Sequence, residues 1–244
     1  MEIEPTYNPT ITDSYFYLQN GKVLKQGDNK TWMVKRSDEN LPGFTAMQPI
    51  SKKTAVLRVI DINARKNLLS RSDSPRSTKD ILTTQVDGIL CTDGYLNYSE
   101  SEHTLVYTYR YRNQFICLDT GLNVLFIGKT IDTTSVAKIT VAEANGKITM
   151  SSPPFIVNMG TCVDGKYLFV HSNLVASNQS PDAIEDRSFI DVYNINDGSY
   201  LLSFYIYHVN DLKMRSFIVK DDALFAEFPG YVAKYNLALK HLTD

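Results

Sequence analysis

Cysteine is scarce in this 244-residue chain, and the placement of its three copies excludes two common uses of the residue. Cys91, Cys117 and Cys162 are far apart and form no CxxC pair, so the sequence indicates neither a disulfide framework nor a zinc cluster. We expect three partly buried thiols in strands. Glycine and proline are also few, at 12 and 9, which excludes a collagen-like or a disordered composition.

An excess of one charge is missing as well. The chain carries 25 Lys and Arg against 27 Asp and Glu, a net charge of -2, and lacks the positive excess that nucleic acids or anionic membranes attract. No window approaches the ~18 uninterrupted apolar residues of a membrane span. The N-terminal residues MEIEPTYNP have neither the basic nor the apolar region of a secretory signal, which favours a cytoplasmic location. We therefore predict no nucleic-acid partner and no membrane span in this chain.

Sequence signatures of catalysis are absent too. The chain contains no G-x-S-x-G elbow and no glycine loop for phosphate binding. Metal-binding histidines often stand two or four residues apart, and no two of these histidines do. The four are His103, His171, His208 and His241. We predict no catalytic residues, no metal site and no cofactor.

Aromatic residues, in contrast, are abundant, with 15 Tyr and 11 Phe, and they favour strands. Polar and apolar residues alternate with a period of two in several segments, most clearly in LVYTYRYRNQF at 105–115. There one face carries Leu105, Tyr107, Tyr109 and Tyr111, and the other carries Thr108, Arg110 and Arg112. The pattern predicts one strand over the whole segment.

Short polar turns join such strands into five predicted hairpins, and Asp-Gly or Asp-Asp turns precede further strands. The hairpins span residues 17–24, 60–69, 118–125, 193–201 and 235–242. Because they recur roughly every 40 to 60 residues, we predict an all-β chain of β-propeller-like antiparallel blades, with a β-sandwich as the alternative. Residues 1–12 would form an N-terminal extension and 13–244 a domain of four to five recognisable blades. A polar loop is predicted as an insertion at about 172–188.

Several of these segments resemble uncharacterised Bacteroidetes proteins of the six-bladed, TolB-like β-propeller type. The resemblance runs from about residue 13 to the end and is carried by the segments 91–94, 105–115, 128–133, 163–172 and 190–198. The group has no assigned activity, but its members carry an N-terminal hydrophobic anchor. The resemblance therefore implies that this chain is a C-terminal portion with an incomplete ring, in an extracytoplasmic and membrane-anchored protein.

Three residues are the candidate ligand contacts. Arg110 and Arg112, on one predicted strand face, could hold an anionic group, and His171 ends a strand where the long polar loop begins. The alternative is structural, with the arginines paired to acids of a neighbouring blade and His171 hydrogen-bonded. We predict a non-catalytic binding or interaction scaffold for an unknown protein or small-molecule ligand. The alternative function is a hydrolase or lyase propeller with its active site in the central channel.

Overall fold

The computed structural model describes residues 8–12, 15–20, 23–38, 41–144, 146–173 and 186–238. The chain divides into two compact units, Met1–Thr83 and Thr84–Asp244. None of the described segments forms a helix with the length and apolarity that a membrane crossing needs.

The Met1–Thr83 unit contains two four-stranded antiparallel sheets. Their strands are β1 (Asn8–Ile11), β2 (Tyr15–Asn20), β3 (Val23–Asp28) and β4 (Met33–Asp38), then β5 (Phe44–Pro49), β6 (Ala55–Asp61), β7 (Lys66–Arg71) and β8 (Ser74–Lys79). Tyr17 and Leu24 of the first sheet share one apolar core with Phe44 and Leu57 of the second. The first sheet begins at Asn8, inside the segment expected to be an extension, because β1 pairs along its length with β2.

The Thr84–Asp244 unit contains two four-stranded sheets, one three-stranded sheet and a two-stranded ribbon. The first four-stranded sheet consists of β9 (Gly94–Ser99), β10 (Thr104–Tyr109), β11 (Gln114–Leu118) and β12 (Val124–Lys129), and the ribbon of β13 (Val141–Ala144) and β14 (Lys147–Met150). The second consists of β15 (Asn158–Asp164), β16 (Tyr167–Ser172), β17 (Arg187–Asn194) and β18 (Tyr200–Tyr207), and the last of β19 (Ser216–Lys220), β20 (Ala223–Phe228) and β21 (Tyr231–Asn236).

Every described sheet joins strands that are consecutive in the chain, which is the pattern of propeller blades. In the second unit the first strands of successive sheets are neighbours, since Thr161 of β15 donates to the Asn97 side chain of β9 over 2.9 Å. On its other side β15 meets β19, where the Val219 N–H lies 3.2 Å from the Cys162 sulfur. The all-β, β-propeller prediction is confirmed, and the described residues contain five sheets of three or four strands.

Turn chemistry explains much of this order. Four of the predicted hairpins form, as β2–β3, β6–β7, β11–β12 and β17–β18, while the second half of the fifth lies outside the described residues. Asp221 and Asp222 join β19 to β20 with φ of 49° and 60°, the backbone that two-residue hairpins require. Of the predicted 172–188 loop, Ser172 belongs to β16 and Arg187 to β17, and 174–185 lie outside the described part.

Candidate functional site

The segment 105–115 is not one strand, and this corrects the sequence prediction. Strand β10 ends at Tyr109, β11 begins at Gln114, and the four residues between them form the turn that reverses the chain. The turn is closed by backbone hydrogen bonds, in which Arg110 donates to the Asp93 carbonyl over 2.9 Å and Gln114 donates to the Arg112 carbonyl over 2.9 Å. Arg110 and Arg112 therefore do not share a strand face with Thr108.

Arg112 is buried, with only 1% of its surface exposed. Its guanidinium carbon lies 3.5 Å from the centre of the Tyr109 ring, and Tyr109 in turn contacts the edge of Tyr107 at 5.4 Å. The Tyr107 hydroxyl donates to the Thr92 carbonyl over 2.5 Å. This stack fixes Arg112 inside the β9–β12 sheet region, where a desolvated cation over an aromatic ring contributes to stability.

Arg110 is more accessible and faces an acid of its own sheet. Its Nη1 atom lies 3.9 Å from a carboxylate oxygen of Asp93, the residue just before β9, and both side chains are about one-third exposed. The Arg110 carbonyl accepts hydrogen bonds from the N–H groups of Val157 and of Asn158, the first residue of β15. The structural alternative predicted an acid of a neighbouring blade, whereas the acid that Arg110 faces belongs to its own blade.

His171 lies near the end of β16 and is 5% exposed. Burial lowers the pKa of His171 to about 4, and the nearby His208 adds repulsion against the protonated form. His208 itself lies 3.2 Å from the Ser188 hydroxyl. His171 is therefore a neutral imidazole at physiological pH, on the same face of the sheet as Phe169, which belongs to the core shared with β19–β21.

The structure does not gather the three predicted contacts. Val170 and Tyr193 face the β9–β12 sheet, since they share a core with Phe115, whereas His171, one residue beyond Val170, faces the opposite way. Thr108 pairs with Phe115 and so shares its face, which places Tyr109 and the arginine stacked on it on the other side of the β9–β12 sheet. Arg110 and Arg112 share one turn. Both sheets lie between His171 and the stack of Arg112 on Tyr109. A ligand role for each residue stays a prediction.

A buried acid between these two sheets was missed by the sequence analysis. Asp191 in β17 is 3% exposed and accepts a hydrogen bond from the Ser203 hydroxyl. Burial raises its pKa, and the charge of Asp132 adds to the rise, while the Ser203 and Ser172 hydroxyls oppose it. The available signal was an acid inside the apolar run at 188–193, a strand that is buried on both faces.

Tyr193, two residues beyond Asp191, forms a polar contact between the two sheets. Its hydroxyl accepts a hydrogen bond from the Ile131 N–H over 2.9 Å, and burial together with the Asp191 charge raises its pKa. The contact joins β17 to the segment that follows β12. The arrangement links two blades, and its acid is enclosed rather than presented to solvent.

The most exposed aromatic group of the unit lies on the outer strand β18. We call Tyr200, Tyr205 and Tyr207 the tyrosine row, and they are 44%, 42% and 54% exposed. Tyr205 and Tyr207 contact edge to face at 5.1 Å, and the Arg187 guanidinium lies 4.9 Å from the first ring and 5.2 Å from the second. Asp186 holds that guanidinium through a 2.8 Å contact to Nε.

Two of the three cysteines have thiols that burial makes harder to ionise. Burial raises the pKa of Cys117 to about 12 and that of Cys162 to about 11, so both stay thiols at neutral pH. In the described part of the chain no three His, Cys, Asp or Glu residues are placed to hold a metal ion together.

Comparisons with known proteins show the fold. No family model matches the chain, and no curated protein sequence matches it. Hydrazine synthase of Kuenenia stuttgartiensis is similar with a TM-score of 0.51 and 10% identity over 93% of this chain and 56% of that chain. Hsv2 of Kluyvelomyces marxianus is similar with a TM-score of 0.52 and 9% identity over 97% of this chain and 69% of that chain. This chain thus spans little more than half of the first, and both neighbours are β-propellers.

Proposed function

We propose that this chain is a non-catalytic interaction scaffold that binds a partner protein through the tyrosine row. The observation that carries the proposal is the exposure of three tyrosines on one outer strand beside Arg187. Isolated exposed apolar residues are common on any surface, but tyrosine and arginine together are enriched where proteins bind. A partner could bury the rings and still hydrogen-bond their hydroxyls.

The row is already ordered in the free protein. Tyr205 packs against the buried Phe189 ring at 6.3 Å, Tyr200 packs against Tyr193 at 5.8 Å, and Arg187 is held between Asp186 and two rings. Side chains that are fixed before association lose less conformational entropy when a partner binds. This geometry favours a binding surface over accidental exposure.

The hydrolase or lyase alternative has weaker support. An active site needs an activated nucleophile, acid or base, whereas the Cys117 and Cys162 thiols have raised pKa values and His171 is buried and neutral. The raised pKa of Asp191 would suit an acid catalyst, but Ser203 and the two sheets leave that carboxyl 3% exposed. Substrate would have no direct route to it.

We include in this proposal the six-bladed, TolB-like relationship and the N-terminal anchor that the sequence resemblance implies. A six-bladed, TolB-like relationship would add one blade to the five described sheets of three or four strands, and the N-terminal anchor of that group would place the protein outside the cytoplasm. Neither is needed for the tyrosine row to bind a partner.

Selection from a displayed library of random peptides tests the scaffold proposal. Peptides selected on the wild-type protein should bind Tyr205→Ser/Tyr207→Ser at least about tenfold more weakly, because interface aromatics typically contribute more than 1 kcal/mol each. The matched control is Val232→Ser, which removes another exposed apolar side chain, 65% exposed, from β21 of the last sheet. Failure to select any peptide, or binders that ignore the tyrosine substitutions, would contradict the proposal.

A further inference from the structure

A cavity of about 440 Å³ lies on the β5–β8 sheet, in the Met1–Thr83 unit. Its floor is formed by Leu41, Val59 and Leu68, which are all less than a tenth exposed. Cavities that hold small molecules in proteins are of this size and have largely apolar walls.

The strand register explains why this face combines an apolar floor with a polar rim. Val59 pairs with Leu68 across β6 and β7, and Asp61 follows Val59 on the same face. Strand β8 is exposed and carries Arg76 and Thr78 at the rim. One end of the cavity is therefore apolar and the other is bordered by polar side chains.

Arg76 is the cation at this rim that no described acid neutralises. Nearby Lys66 is paired with Asp80, and Arg71 is paired with Asp73 at 2.7 Å. Arg76 forms no ion pair with any described residue. The Asp61 carboxylate, also at the rim, accepts a hydrogen bond from the Ala64 N–H over 2.9 Å within its own turn.

A buried hydroxyl lies on the same face, beside the cavity wall. Ser70 pairs with Thr78 across β7 and β8 and is fully buried, and its Oγ has no hydrogen-bond partner among the described residues. A buried hydroxyl without a partner is unfavourable, so a polar atom brought close to it would be stabilised.

We propose that this cavity binds a small-molecule carboxylate with an apolar body. The hydrocarbon part would cover Leu41, Val59 and Leu68, and the carboxylate would accept two hydrogen bonds from the Arg76 guanidinium, whose planar fork matches it. Asp61 disfavours a second negative charge on the ligand at the same rim. No residue of the tyrosine row lines this cavity, and the proposal does not depend on the scaffold proposal.

Titration with naphthoate, a rigid aromatic carboxylate, tests the site, with protein chemical shifts as the readout. Arg76→Gln should weaken binding about fivefold, the size of a solvent-exposed ion pair. Lys79→Gln is the matched control, because it removes a charge from an exposed residue of the same strand outside the cavity lining, and it should leave affinity unchanged. Naphthamide, which has the same ring without the charge, should bind wild-type protein more weakly and should not respond to Arg76→Gln.

A second variant tests whether naphthoate occupies the cavity, without changing the charge of Arg76. Thr78→Trp places a large ring at the exposed rim and should block naphthoate without unfolding the unit, as the unchanged shifts of the remaining residues would show. Equal affinity of wild type and Arg76→Gln, equal binding of naphthamide and naphthoate, or no saturable binding to wild type would each overturn the proposal.

Discussion

Two tyrosine pairs of the Thr84–Asp244 unit share a spacing and a geometry but differ in environment. Tyr107 and Tyr109 lie with ring centres 5.4 Å apart and planes at 77°, and Tyr205 and Tyr207 lie 5.1 Å apart at the same angle. An arginine stacks on each pair. Yet the first pair is completely buried, and the second is 42% and 54% exposed.

Position in the sheet produces this difference. Strand β10 is an inner strand of its sheet, and all six of its residues are buried. Strand β18 is the last strand of its sheet, and four of its eight residues are exposed. The same local motif is therefore enclosed in the fold in one place and exposed to solvent in the other. Sequence spacing alone cannot separate the two roles.

The largest expected difference between the two pairs is the loss of stability when one tyrosine of each is replaced. Tyr109→Ala should lower the free energy of unfolding by about 3 to 5 kcal/mol, because it leaves a cavity and removes the ring on which Arg112 rests. Tyr205→Ala should lower it by no more than about 1 kcal/mol, since its ring is already 42% exposed and leaves no closed cavity when it is removed. Urea unfolding of both variants measures this, and equal losses would mean that burial does not distinguish the two pairs.

The elements that the sequence predicted well are those with specific local chemistry. Asp221 and Asp222 tolerate positive φ, so the turn before β20 was recognised, and the β17–β18 hairpin was marked by its Asn-Asp-Gly segment at 196–198. The reversal after Tyr109 was missed because its turn residues, Arg, Tyr, Arg and Asn, continue the alternation of the strand. Hydrogen bonds to distant backbone groups decide the end of that strand, and no local pattern records them.

Histidine offers a pH-dependent form of the comparison. The pKa of His171 is about 4 in the fold against an ordinary value of 6.5, so the unfolded chain binds more protons between these values. Its contribution to stability is complete above pH 6.5 and is lost as the pH falls towards 4, by about 3 kcal/mol in total. His171→Gln should flatten this part of the stability profile. If the free energy of unfolding depended on pH identically in wild type and His171→Gln, the lowered pKa of His171 would be wrong.

The sequence named candidate contact residues but did not reveal their surroundings. The sequence directed attention to Arg110, Arg112 and His171, which are all near strand ends, yet one is enclosed with an aromatic ring and one faces a core shared with the next sheet. Asp191 escaped notice because its burial depends on Ser203 and on a neighbouring sheet. Such environments arise from contacts between blades, which lie far apart in the sequence.

The smallest expected effect concerns the two stacked arginines. Arg112→Ala should lower the free energy of unfolding by about 2 kcal/mol, because a desolvated cation–ring contact and the packing of its hydrocarbon stem are both lost. Arg187→Ala should not change stability measurably, since water screens its contacts with Asp186, Tyr205 and Tyr207. Arg187→Ala should instead weaken the binding of the peptides that recognise the tyrosine row. If Arg112→Ala left stability intact, the buried stack would have no structural role, and the turn would again be a candidate for ligand contact.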